Sequence, residues 1–252
     1  MSRGVATTRP LRIPGPAHTW LAASGALLVT VALIPPLATQ AGRYEWAEAL
    51  QFAIFAVVGP ALVVLGAQWR RLHLDPPLGR LEAGRLRHRE LLRSLGFLAV
   101  YLAVVVVWRT PAAVDAVSSR HWLVVVEAST LLIAGAGFWL ELVESPPMIP
   151  RSPHPRRAVL AALSMWTIWA VAYMEAMSDA SWYRGFRHVA GIGLSASADR
   201  QLSTAVLWVV TAAAFMPVIF WNLVQWLRNE EDPDDELYRL LRESRRRSTG
   251  AL

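Results

Sequence analysis

Cysteine and lysine are both absent from this chain of 252 residues. Without a thiol there is no disulfide, no thiolate metal site and no cysteine nucleophile, so a metal would have to rest on histidine, methionine or carboxylate ligands. Charge is scarce as well. Charged residues make up 17% of the chain and hydrophobic ones 54%, whereas a soluble domain carries about 25% charged residues. There is no glycine-rich phosphate loop and no Gly-x-Ser-x-Gly nucleophile elbow, the signatures that nucleotide binding and serine hydrolysis would need. No apolar stretch holds a histidine pair able to clamp a haem, and His73 and His88 fall in a basic loop. The centres of the apolar stretches lack the charges and helix breaks of a coupled transporter.

Six long apolar stretches fill what remains, at about 20–37, 47–68, 91–108, 121–143, 158–177 and 202–227. A bilayer core of about 30 Å is crossed by about 20 apolar helical residues. The fold expected is therefore all-α: a bundle of six transmembrane helices, residues 19–228, between a tail at 1–18 and a tail at 229–252. A cleaved leader is the lesser reading of the first stretch, because its apolar run is long and Pro35-Pro36 precedes any cleavage point.

Nineteen of the 25 arginines lie in the two tails and in the loops after the second and fourth stretches. The other six, Arg43, Arg109, Arg120, Arg184, Arg187 and Arg200, lie on the opposite side. Excess arginine marks the cytoplasmic side, so both termini are expected there, in a bacterial plasma membrane. The net charge of +6 sits in loops beside spans. That placement suits anionic lipid headgroups rather than nucleic acid. The segment 72–92 and the tail beyond Asp232-Pro233 read as amphipathic pieces on that surface. Trp20, Trp46, Trp69, Trp108, Trp122, Trp182 and Trp226 fall near span ends, as interfacial rings do; Trp139, Trp166, Trp169, Trp208 and Trp221 are expected to fill gaps between helices.

Ionisable groups inside spans are costly and so become site candidates. Glu48, Glu127, Glu175 and Asp199 fall towards one end of their spans, with His121 at the edge of the fourth. Met174 and Met177, three apart, share a helix face. Carboxylate, imidazole and thioether together could hold copper, so His121, Glu48, Glu127, Met174 and Met177 form the candidate metal set, weighed against plain polar packing. Asp199 also reads as the N-cap of the last span. Glu141 and Glu144 are expected to pair with Arg151, Arg156 or Arg157.

Gln51 is followed by Gly59-Pro60-Ala61-Leu62-Val63-Val64-Leu65-Gly66. Gly135 precedes Phe138-Trp139. Ser145-Pro146-Pro147 leads to Arg156-Arg157. Trp182-Tyr183 precedes Asp199-Arg200-Gln201 and Trp208. Together these local patterns resemble the CtaG family of multi-span cytochrome c oxidase assembly proteins. The resemblance covers about 21–231. It implies a seven-span relative with a His-x-x-x-His pair in the span that here carries Glu48 and Phe52, and a Glu-His pair where Glu127 is followed by Ala128. Imidazoles are natural copper ligands, and these three are missing; a usual first span is also missing.

The reading that results is a non-catalytic assembly factor or accessory subunit of a cytochrome c oxidase-type respiratory complex, with a degenerate metal site. No cofactor is expected. The alternatives are a copper-handling protein using the His/Glu/Met set, and a small-molecule permease.

Overall fold

The computed structural model describes residues 16–66, 90–145, 148, 150, 152–178, 182–186 and 194–230. Most of the segment 72–92 and the tail beyond Asp232 lie outside them. The described residues are helical apart from connections and one isolated bridge between Ser145 and Met148.

The helices are α1 (Pro16–Leu33), α2 (Leu37–Ala41), α3 (Glu45–Ala53), α4 (Gly59–Gly66), α5 (Glu90–Trp108), α6 (Pro111–Ser119), α7 (Leu123–Leu142), α8 (His154–Met177) and α9 (Ala196–Glu230). A π-helical turn, Ile54–Val58, joins α3 to α4 without a break. Five helices have the length and hydropathy to cross a membrane: Glu45–Gly66, Leu91–Trp108, Leu123–Leu142, His154–Met177 and Ala196–Arg228. The first apolar stretch forms α1, whose apolar part, Thr19–Leu33, is shorter.

The bundle's outer surface suits lipid. Ile133, Val209, Phe220, Val125 and Val100 are each more than half exposed, and apolar surface on that scale is rare on a water-soluble monomer. Trp20 and Trp122 are exposed as expected of rings at span ends. Trp139 is buried and stacks on Phe215 with centroids 5.2 Å apart. Trp166 and Trp221, expected between helices, are instead 66% and 63% exposed. Their helices are packed on one side only, and these rings fall on the other.

Small residues let the backbones meet, as in other membrane bundles. A Cβ on Gly25 would stand 2.9 Å from Leu62 Cβ, and one on Gly135 would stand 2.7 Å from Pro60 Cγ. Gly66 closes against Ala22 in the same way. Gly135 and Pro60, two of the family-pattern residues, are thus the two sides of one contact between α7 and α4. Pro60 follows the π-helical turn and has no N–H to donate into it. Tyr101 of α5 donates to Ala56 O, within that turn, at 3.3 Å. Buried in the bilayer, a backbone carbonyl needs a donor from within the protein, and the tyrosine supplies one.

Polar groups also tie the opposite end, where α5 begins and α7 ends. Arg93 reaches both oxygens of Glu141 at 3.2 Å, and Ser94 donates to the same carboxylate at 2.9 Å. Arg93 is thus an ion-pair partner of Glu141; of the arginines expected there, Arg151 lies outside the described residues, and Arg157 donates to the backbone oxygens of Ser152 and Pro150 at 2.7 and 2.6 Å. Ser145 donates to Val64 O at 2.6 Å, using a carbonyl at the end of α4.

Candidate functional site

At the other end of the bundle the spans bring buried charge together. α5 ends at Trp108, and Arg109, the next residue, turns inward; it is 3% exposed. Its Nη1 donates to Glu48 Oε2 of α3 at 2.6 Å. Its Nε and Nη2 donate to Glu175 Oε1 and Oε2 of α8 at 3.0 and 2.6 Å. The second pair is a bidentate fork, the strongest arrangement open to a guanidinium. Two rings flank the cation, with Cζ 5.1 Å from the centroid of Phe52 and 5.3 Å from that of Tyr183, within cation–π range.

Tyr183 is fully buried in the connection between α8 and α9. Its hydroxyl donates to Glu175 Oε1 at 2.5 Å and lies 3.3 Å from Arg109 O. Burial pushes this phenol well above its usual range; Arg109 opposes the shift and Glu175 adds to it. For Arg109, burial favours the neutral form, but Glu175 and Glu48 outweigh it and hold the guanidinium charged more firmly than in water. The short helix α6 covers the connection: Val114 packs with Tyr183 and Phe186, and Asp115 accepts from the Gly185 N–H at 3.1 Å.

Asp199 is nearby but is not the N-cap predicted. The cap of α9 is Ser195, whose Oγ accepts from the Ala198 N–H at 3.2 Å. Asp199, one turn further on, aims its carboxylate at α3. It accepts from the N–H of Glu45 at 2.9 Å and of Trp46 at 3.1 Å. The first N–H groups of a helix have no internal acceptor, and the helix dipole favours an anion there. Asp199 therefore caps a helix distant in the chain.

Of the five residues of the predicted metal set, Glu48, Glu127 and His121 lie at this end of the bundle, and Met174 and Met177 face outward. Glu48 is bound to Arg109. Glu127 is 4% exposed on α7, near enough to Glu48 and Arg109 for their charges to interact. His121 is exposed, and it lines one cavity with Glu48. Met174 and Met177 are 54% and 64% exposed on the outer face of α8. Among the described residues no three of His, Asp and Glu gather as a metal-holding group. The copper that the family resemblance implies fares no better by position. Phe52 and Ala128 offer no donor atom, and Glu48 already carries a cation at 2.6 Å. A metal ion there would meet the guanidinium's charge, so this donor set does not fit copper.

Other family-pattern residues have packing roles. Gln51 Nε2 donates to Ala32 O of α1 at 2.6 Å. Trp208 stacks on Trp169 at 5.3 Å, whose Nε1 donates to Thr211. Gln201 is exposed. Arg109 and Glu45, both central to the cluster, carried no sequence signal strong enough to single them out. An arginine directly after a span-end tryptophan reads as an interfacial anchor.

The fold and the site define a multi-pass helical membrane protein with a buried ion cluster at one end of its bundle. The chain belongs to the cytochrome c oxidase caa3 assembly factor family, whose model matches residues 3–229. Neither the curated proteins nor the solved structures compared with it give a match.

Proposed function

We propose that the protein is a non-catalytic scaffold for assembling a cytochrome c oxidase-type complex, a member of its family in which an arginine stands where the resemblance implies a metal. The observation that carries this reading is the Arg109 clamp. Glu48 and Phe52, at the positions of the implied histidine pair, hold a guanidinium by ion pair and ring face. The charge that would bind the helix ends together is thus supplied by the chain itself, and the site has no dependence on metal loading.

The same reading places the chain in the bacterial plasma membrane with six crossings and both tails cytoplasmic. The pairing of α1 with the next span supports the sixth crossing. Ala22 meets Gly66, Gly25 meets Leu62, Val29 meets Gly59 and Ala32 meets Gln51, so α1 runs antiparallel along most of the Glu45–Gly66 span. The Arg109 end then faces outward. The partners are oxidase subunits, met through the exposed apolar flanks, with anionic lipid at the arginine-rich face.

The test is genetic and biochemical. Deletion lowers assembled oxidase, read as haem absorbance and subunit content of membranes, and purification in mild detergent recovers oxidase subunits. Metal analysis of the purified protein finds no copper above background. Normal oxidase content in the deletion strain overturns the assembly role; stoichiometric copper that is lost in His121→Ala overturns the metal-independent half.

A further inference from the structure

The cluster contains more acid than Arg109 balances. Glu45, Glu48, Glu127, Glu175 and Asp199 are each at most 8% exposed. Glu48 and Glu175 already share Arg109, so its single charge is outnumbered before the other three are counted. Asp199 accepts from the N–H groups at the start of α3. Glu45 differs from these. Its N–H makes one of the bonds to Asp199, but its side-chain Oε1 is buried without a hydrogen-bond partner.

Among the described residues, four charged groups act on the Glu45 carboxyl: Glu48 on α3, Arg109 at the end of α5, Glu175 on α8 and Asp199 on α9. Glu127 of α7 acts on Glu48 and Arg109, and the Tyr183 hydroxyl is bonded to Glu175. Of the neighbouring groups, Arg43 is exposed, Tyr44 lies against Trp46, and Arg200 donates to Ser178 O. α2 and the π-helical turn, which also pack on α3, carry no titratable residue. Three acids and one arginine thus surround Glu45, and two of those acids hold the arginine. An ionised Glu45 would be a buried anion in a field of its own sign, which is the costly case. A neutral carboxyl avoids both the repulsion and the loss of hydration.

We propose that Glu45 holds a proton in the folded bundle and that this proton fastens α3 to α9: its loss turns Glu45 into an anion facing Asp199, Glu48 and Glu175 and loosens the capped start of α3. The Arg109 end of the bundle thereby responds to the acidity of the side it faces. The inference does not rest on the assembly role. In the unfolded chain a glutamate ionises at its ordinary value of about 4.3. Above that pH the folded chain binds one proton more than the unfolded chain, so stability falls as pH rises. The fall is up to about tenfold in the folding constant per pH unit, until Glu45 itself ionises in the bundle. The test is equilibrium unfolding of the full chain in one mild detergent, from just above that ordinary value to mildly alkaline pH. The parent loses stability relative to Glu45→Gln as pH rises, because glutamine keeps the shape and does not titrate. Glu45→Ala shows the same flattened pH dependence, whatever its overall stability. Infrared spectra give a second reading: at neutral pH the parent shows a protonated-carboxyl C=O band that is diminished in Glu45→Gln. Parallel pH curves for the parent and the two variants, or a protonated-carboxyl band that is absent from the parent or undiminished in Glu45→Gln, overturns the proposal.

Discussion

Arg109 and Glu175 face each other fork to fork, with two N–H···O bonds of 3.0 and 2.6 Å between the end of α5 and the end of α8. Both side chains are almost wholly excluded from solvent. Breaking a buried pair on one side leaves an uncompensated charge, which costs about 3–5 kcal/mol. Arg109→Leu is therefore expected to be severely destabilising, and Arg109→Lys to recover little, because an ammonium cannot make the fork. Thermal melts of the purified variants in one detergent check both. Replacing Arg109, Glu48 and Glu175 together by Leu, Gln and Gln should cost less than Arg109→Leu alone.

Tyr183→Phe removes a donor from Glu175. A hydrogen bond to a charged group contributes about 1.5–3 kcal/mol, and a loss in that range is expected. The raised pKa also means that this phenol stays protonated where ordinary tyrosines ionise. Spectrophotometric titrations of the parent and Tyr183→Phe should therefore overlay up to the pH at which the protein unfolds.

Gly135→Val should disrupt the contact between α7 and α4. Its first added carbon already meets Pro60 Cγ at 2.7 Å and Ala56 O at 2.9 Å. Overpacking of this kind costs about 1–3 kcal/mol. Gly96, with open space around it, is the control: Gly96→Ala should be neutral or slightly stabilising in the same melts.

Tyr101→Phe leaves Ala56 O without its hydroxyl donor. A loss of about 1–3 kcal/mol is expected for an unsatisfied buried acceptor. Thermal melts of the purified variant in one detergent measure it.

The spans were legible because hydrophobic length is a one-dimensional signal: the 91–108 stretch and α5 end at the same tryptophan. Which acids and bases meet was not legible, because pairing across helices depends on rotation and depth. Glu141 lies close in sequence to Arg151, Arg156 and Arg157, yet it pairs with Arg93, 48 residues away. Asp199 has the sequence of a local cap and serves a remote one. The acid at 48 was visible as a candidate. Arg109, which determines what that acid can bind, stands in the sequence only as one of the six arginines of the opposite side.

The capping of α3 by Asp199 bridges 154 residues of chain. During synthesis α3 is made long before α9, and its first amides lack this acceptor until the later helix docks. Insertion of α9 thus works as a latch: it completes the start of the Glu45–Gly66 span and pins the register of the two helices. Loss of that carboxylate, as in Asp199→Ala, should leave a bundle whose early half is open to the insertion machinery and to membrane proteases for longer.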